Sequence, residues 1–320
     1  MKILIVGHDL KFIQFYIDYL ENTDHAIKLD IWENHSAHDV KESFKLLEWA
    51  DIILCEWGLG NIRFYSNYKR EHQRLFVRLH RQELNTDYLN ESNLDNIDGI
   101  ITVSPFIYEE FCRVFSLPRN KMNLVYNQVN LRNFKDNTII DRKYKIGMVG
   151  YLPKLKRMDL ALDLFELLYK ENKKYTLHFK GKSPQELRWL WRLDEEREFY
   201  ESQFSRIEKS EWKDNVVFEP FGDVVDFYNN MEFIVSLSDV ESFHLAAAEG
   251  MSCGAIPIIS NWEGSETIYH SRYILNDINH INKYIEKMRQ SEGIKELMKE
   301  EISQFDSNII IEELNSIILQ

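Results

Sequence analysis

Phe233-Ile-Val-Ser-Leu-Ser-Asp-Val-Glu241-Ser-Phe-His-Leu-Ala-Ala-Ala-Glu249-Gly-Met-Ser-Cys-Gly254-Ala-Ile-Pro-Ile258 decides how this chain is read. An apolar run, 233–237, ends in a polar turn, a small-residue pattern predicts a helix starting near Ser242, and a turn at Gly254 leads into a second apolar run, 255–259. Strand, helix and strand in that order make a parallel pair with its crossover. The start of such a helix presents unpaired backbone N–H groups and a partial positive charge, which suits a phosphate, and Ser242 is placed to cap it. On a continuous helix, Glu241 and Glu249 would lie about 12 Å apart along the axis, near one face. That exceeds the roughly 5–9.5 Å between the two carboxyls of a glycosidase. It fits an extended ligand held at two hydroxyl-bearing ends, or simply an amphipathic helix with Glu249 exposed.

The same alternation extends in both directions. Residues 2–6, 26–32, 51–57, 75–79 and 99–103 read as strands with helical patterns between them, beginning with 12–20. A polar stretch at 130–143 serves as a linker, after which the pattern restarts with strands at 145–149, 175–179 and 216–218. The second half carries helices at 157–169 and, opened by Pro184, at 184–199. From 278 onward only helices are expected. The fold class is therefore α/β, with two Rossmann-like doubly wound domains in series.

Composition narrows the function. The chain has 320 residues, 44% hydrophobic and 28% charged, and a net charge of −13. Such acidity argues against a nucleic-acid partner, which selects clustered cations. Cys55, Cys112 and Cys253 form no CxxC pair, as expected in a reducing cytoplasm. The N-terminal run lacks the pattern of a signal peptide, and no run approaches a membrane span. Gly7 is followed by His8, Asp9 and Leu10, and Gly58-Leu-Gly60 lacks a third glycine, so the dinucleotide fingerprint is absent. Gly181-Lys-Ser183 ends like a phosphate loop, but Thr176 stands where that loop needs glycine. There is no Asp-x-Asp pair to clamp a metal, and no G-x-S-x-G elbow. His35 and His38, beside Glu33 and Asp39, read as a solvated loop rather than a metal site.

The Glu241–Ile258 segment resembles the E-x7-E signature of retaining glycosyltransferases with the GT-B fold, family 4 or "group 1". Gly147-Met-Val-Gly-Tyr151-Leu-Pro-Lys-Leu-Lys156-Arg-Met-Asp-Leu resembles the family's strand, loop and helix that open the second domain. Val77-Arg-Leu-His80 is similar to its first-domain strand ending in histidine, and Val125-Tyr-Asn127-Gln-Val-Asn130 to the stretch before its linker. The resemblance implies two domains facing across a cleft. The acceptor domain would be 1–138, joined by a terminal helix at 305–320, and the nucleotide-sugar domain would be 139–304.

It also implies roles. Glu241 would hold hydroxyls of the donor sugar and Glu249 those of the ribose. Gly150, Ser242 and the backbone N–H groups of Phe243, His244 and Leu245 would meet the sugar and diphosphate. Lys156, with Arg157 or Lys154, would offset phosphate charge in place of a metal. Tyr151 departs from the family's arginine at that position. His80 would lie against the sugar, and Gly7 and Arg78 are assigned to the acceptor side. Between Arg63 and Arg81 six cations (Arg63, Lys69, Arg70, Arg74, Arg78, Arg81) alternate with Phe64, Tyr65, Tyr68 and Phe76. That stretch is either a solvated face or a surface for an anionic acceptor or lipid. Trp189 and Trp191 are assigned to core packing against the second sheet, and Cys253 to packing.

The expected activity is retaining hexosyl transfer from a UDP- or GDP-linked sugar, without cofactor or metal. The acceptor hydroxyl would belong to a glycan, a lipid-linked or an anionic polymer acceptor in bacterial surface polysaccharide or glycoconjugate assembly. The setting is cytoplasmic, with peripheral contact to the inner face of the membrane left open. The rivals are a nucleotide-sugar epimerase and a non-catalytic partner of the same fold.

Overall fold

The computed structural model describes residues 1–137 and 141–320. It comprises two compact units, Met1–Gln128 with Ser307–Gln320, and Val129–Asp306. In the first unit, β1 (Lys2–Gly7), β2 (Ala26–Ile31), β3 (Ile52–Glu56), β4 (Arg74–Leu79), β5 (Gly99–Thr102) and β6 (Met122–Leu124) form one sheet. Its order is β2-β1-β3-β4-β5-β6 and every pairing is parallel. Central strands of such a sheet are covered on both faces, so β1, β3 and β4 are near-continuous apolar runs. Alternate side chains then feed two cores. Leu4, Val6, Ile53, Cys55 and Val77 pack with Leu46, Ile62, Tyr65, Ile107 and Phe111. Ile3, Ile5, Ile52, Leu54 and Phe76 pack with Tyr16, Ile17 and Leu20 from helix Gln14–Glu21. Helix Ser307–Ile318 adds Ile310, Leu314 and Ile318 to this second core, and Asn315 is hydrogen-bonded to both Tyr16 and Tyr19 at 3.0 Å.

The second unit repeats the plan with β7 (Lys145–Val149), β8 (Thr176–Lys180), β9 (Val216–Glu219), β10 (Phe233–Ser236), β11 (Ile256–Ser260) and β12 (Ile274–Leu275). Its order is β12-β11-β10-β7-β8-β9, again all parallel. In each sheet the winding reverses once, between β1 and β3 and between β7 and β10. Ligands of open α/β sheets bind beyond the strand ends at such a reversal. In the first unit these ends are Gly7 and Glu56. In the second they are Val149 and Ser236.

Four departures from the sequence reading have local causes. The strands β6 and β12, of three and two residues, are too short to show a pattern. The single helix expected at 184–199 is a turn Pro184–Glu186, a helix Arg188–Trp191 and a separate helix Asp194–Lys209. Leu193 is extended between the last two, and the acids 194–196 favour a fresh N-terminus there. Trp189 is 61% exposed rather than packed in the core; Leu190 takes the inward position. Finally, the chain enters the second unit at Val129, earlier than the expected linker: Val129 N–H donates to Phe305 C=O at 2.7 Å, and Phe134 packs on Tyr228. The expected boundary at 138/139 itself lies outside the described residues. Among the described residues no helix is long and apolar enough to cross a membrane.

Helix Leu245–Ser252 lies close against β10 because Gly250 has no side chain. A Cβ there would stand 2.8 Å from Ile234 Cγ1 and 3.2 Å from its Cβ. Gly250→Ala is expected to cost about 1–3 kcal/mol through overpacking, measured by chemical denaturation. An unchanged midpoint would show that Ile234 yields freely.

Candidate functional site

Two loops meet at the reversal between β7 and β10. The first leaves β7 through Gly150, at φ +71° with open space where a Cβ would stand, and runs through the turn Lys154–Lys156 to Arg157 at φ +63°. Helix Met158–Glu171 follows. The second leaves β10 through Ser238, Asp239 and Glu241 to His244. Asp239 N–H donates to Leu155 C=O at 2.9 Å and Arg157 Nη1 to Asp239 Oδ1 at 2.8 Å, which ties the loops together.

Glu241 is at the centre of this arrangement. Its Oε1 accepts from Lys156 Nζ in an ion pair and from Ser238 Oγ at 2.6 Å, with His244 Nε2 at 3.8 Å. Burial pushes the Glu241 carboxyl up, but His244, Lys156 and the hydrogen bonds from Lys156 and Ser238 outweigh it and hold the group below its ordinary value. The structure thus brings together Lys156, Glu241 and His244, residues far apart in sequence or in different local structures.

The helix starts at Leu245, not near Ser242, and Ser242 does not cap it. The residue before the helix is His244 at φ +60°, a left-handed conformation, and Tyr269 donates to the carbonyls of Phe243 and His244 at 3.2 and 3.0 Å. Glu241 therefore sits in the loop, and the 12 Å separation along a helix axis does not apply. Glu249 lies on the helix and is half-buried rather than exposed. It accepts from the Tyr228 hydroxyl at 2.8 Å, and burial pushes its carboxyl up. The Phe243 ring is buried against Tyr269 and Phe305.

Of the cations expected to share the phosphate charge, Lys156 is the one at Glu241. Lys154 pairs with Glu195, and Arg157 with Asp159 and Asp239. Tyr151, at the family's arginine position, is a core residue: its ring packs on Phe179 and Phe218, and its carbonyl accepts from Tyr200 at 2.9 Å.

The first unit has its own polar cluster at the end of β3 and β4. Glu56 Oε1 accepts from Arg78 Nη1 at 2.7 Å and pairs with His80 Nε2 at 2.9 Å, while Arg78 Nη2 donates to Asn127. All four side chains are buried, and His80, 3% exposed, lies beneath Trp57 (ring centroids 4.0 Å) and Phe12 (5.4 Å). Trp57 itself has φ +62°. Glu83, fully buried, accepts from the backbone N–H of Gly58 and of His80, and burial pushes its carboxyl up. Arg78, assigned to the acceptor side, is instead 1% exposed with its guanidinium engaged by Glu56 and Asn127. Gly7, also assigned there, is crowded by its own chain: a Cβ would meet Leu10 Cδ2 at 2.7 Å and Glu56 O at 3.1 Å.

The cations of 63–81 do not form an open basic face. Arg63 pairs with Glu91, Lys69 with Asp98 and Arg70 with Glu48. His38, half-buried in the loop before helix Val40–Trp49, stacks on Trp32 at 3.7 Å and is hydrogen-bonded to Ser43. Cys253 is fully buried. Sequence reasoning missed Glu56, Glu83, Tyr228, Ser236 and Ser238. Glu56 left a signal, a charge ending the apolar run Ile52–Glu56; Tyr228 left none.

A family model described as glycosyl transferases group 1 matches residues 130–310, more than half of the chain. No curated protein matches the sequence. Among solved structures, HepE of Anabaena in complex with UDP superposes with a TM-score of 0.76 at 15% identity, covering 99% of each chain. A glycosyltransferase from Rickettsia africae gives 0.75 at 14%, covering 99% of this chain and 97% of that one. Sucrose-phosphate synthase from Thermosynechococcus elongatus gives 0.70 at 14%, covering 99% and 98%. At these identities the likeness shows the fold, GT-B.

Proposed function

Since this chain belongs to the group 1 glycosyl transferases, we propose that it moves a hexose from a UDP- or GDP-linked donor to an acceptor hydroxyl with retention of anomeric configuration. The observation that carries the reading is Glu241, held by Lys156 and Ser238 beside the start of helix Leu245–Ser252 at the sheet reversal. Nucleotide sugar enters with its ribose hydroxyls on Glu249, its diphosphate at Lys156 and the backbone N–H groups around 243–245, and its sugar hydroxyls on Glu241. Gly150 leaves room for the ligand to approach the backbone. The binding of UDP and of UDP-glucose by the structurally similar HepE supports a uridine donor.

In the transfer, the bond between C1 and the β-phosphate oxygen breaks and its electron pair stays on the diphosphate. The acceptor oxygen bonds to C1 on the same face, and its proton passes to the departing phosphate. Lys156 and the helix start stabilise the growing charge, so the reaction is proposed to run without metal. His80 is kept as a proposed catalytic residue, its ring oriented by the Glu56 hydrogen bond. The acceptor is proposed to be a glycan or lipid-linked intermediate of surface polysaccharide or glycoconjugate assembly. A second reading, a non-catalytic partner, draws on Tyr151, whose packed ring leaves Lys156 without the usual second cation.

The test is a thermal-shift panel of UDP, GDP, CDP, ADP and dTDP, with and without sugar. At 100 times its dissociation constant a ligand stabilises the native state by about 2.7 kcal/mol. One diphosphate is expected to raise Tm in wild type and not in Glu249→Gln, which retains an acceptor for Tyr228. Silence towards all five, in folded protein, would favour the non-catalytic reading.

A further inference from the structure

His244 is a bulky residue in a conformation that glycine adopts freely, which is costly for a side chain of this size. Its imidazole is buried, and its two nitrogens have different surroundings. Nδ1 is hydrogen-bonded to Ser236 Oγ. That same hydroxyl accepts from the Trp262 indole N–H at 3.4 Å. An indole can only donate, so it uses a lone pair of Ser236, and among the described residues the acceptor for the hydroxyl's own proton is His244 Nδ1. Nδ1 is thereby an acceptor, and in the neutral ring the proton resides on Nε2. Nε2 stands 3.8 Å from Glu241 Oε1, too far for a hydrogen bond, in the space shared with Lys156. The chain Trp262, Ser236, His244 thus ends in an Nε2–H that, among the described residues, has no hydrogen-bond partner and lies beside the carboxylate that Lys156 also reaches.

Resting on the transferase reading, we propose that the His244 side chain is a fixed neutral hydrogen-bond donor to the diphosphate of the nucleotide sugar, with Ser236 as the positioning residue that sets its tautomer. As the C1–oxygen bond breaks and the electron pair moves onto the diphosphate, His244 keeps its proton and strengthens its hydrogen bond to the growing charge. Burial holds the imidazole down to about 4 despite the opposing influence of Glu241, with Lys156 also lowering it, so the ring stays neutral near pH 7. A neutral donor here gives direction without adding a cation that would compete with Lys156 for Glu241.

Two measurements test this. Long-range ¹H–¹⁵N correlation on the ligand-free protein at pH 7 is expected to show the Nε2–H tautomer for His244 and its loss in Ser236→Ala; an Nδ1–H tautomer in wild type overturns the proposal. Calorimetric titration then compares a nucleoside diphosphate, UDP first and otherwise the one selected by the panel, with its monophosphate. His244→Gly, which suits the left-handed backbone and whose Tm is checked, is expected to weaken the diphosphate about 10- to 100-fold and the monophosphate less than about 3-fold. His244→Gln, which restores an N–H donor, is expected to recover part of the loss. Equal losses for both nucleotides, or no loss, overturn it. Wild-type protein that binds none of the five diphosphates overturns the transferase reading instead, and the tautomer result identifies that case separately.

Discussion

Arg78→Met is expected to destabilise the protein by about 3–5 kcal/mol, the usual cost of leaving a buried charge without its partner. The guanidinium is 1% exposed and bonds to Glu56 Oε1 at 2.7 Å and to Asn127. Glu56 is fully buried and, among the described residues, its Oε2 has no hydrogen-bond partner. What remains to Glu56 is His80 at 2.9 Å. The companion variant Arg78→Met/Glu56→Met removes both charges, and it is expected to regain most of the loss because the desolvation cost of the carboxylate goes with it. Chemical denaturation of the three proteins decides the matter. A single-variant cost below about 1 kcal/mol would mean that water reaches Glu56 and that the cluster is not a closed network.

Acidification is expected to weaken the fold through His244. In the unfolded chain this imidazole takes up a proton near its ordinary 6.5, whereas burial holds the folded one down to about 4. Below pH 6.5 the unfolded state therefore binds a proton that the native state does not. The stability due to the neutral ring is fully present above pH 6.5 and falls as the pH drops towards 4. At about 1.4 kcal/mol per pH unit, the loss comes to about 3 kcal/mol. Glu249 has the opposite sign: its carboxyl is raised, so its contribution is complete at low pH and fades only as the pH rises through the raised value. His178, also lowered by burial, acts in the same direction as His244, so the quantity to measure is a difference. Between pH 7.5 and 4.5 the denaturation midpoint of wild type should fall relative to that of His244→Gly on acidification. Parallel curves would show that the folded His244 protonates near its ordinary value.

The two predictions concern the two places where sequence and structure disagree most usefully. Cations in 63–81 read as an open basic stretch, yet Arg78 is a core residue and three others pair with carboxylates from distant segments. Along a strand, charge and exposure are read from alternation, and β4 is covered on both faces, so alternation says nothing about which charge is buried. Likewise the spacing of Glu241 and Glu249 reads as one helix, but the backbone turns left-handed at His244 and only Glu249 is helical. Local propensity does not foretell a strained residue whose conformation is maintained by Tyr269 and Ser236.

By itself the sequence determined the order of the longer strands, the two parallel sheets and the loop that carries Lys156, because hydrophobic period and turn residues are local properties. Glu241 and Glu249 were legible as a pair from their spacing and the family signature. Tertiary structure alone decided that Lys156 closes on Glu241 across 85 residues, that Tyr228 orients Glu249, that His80 is buried beneath Trp57, and that the His244 ring is turned by Ser236. Those are contacts between side chains brought together by the sheet reversals. Their energies depend on burial and on a distance of a few ångströms, neither of which a one-dimensional pattern records.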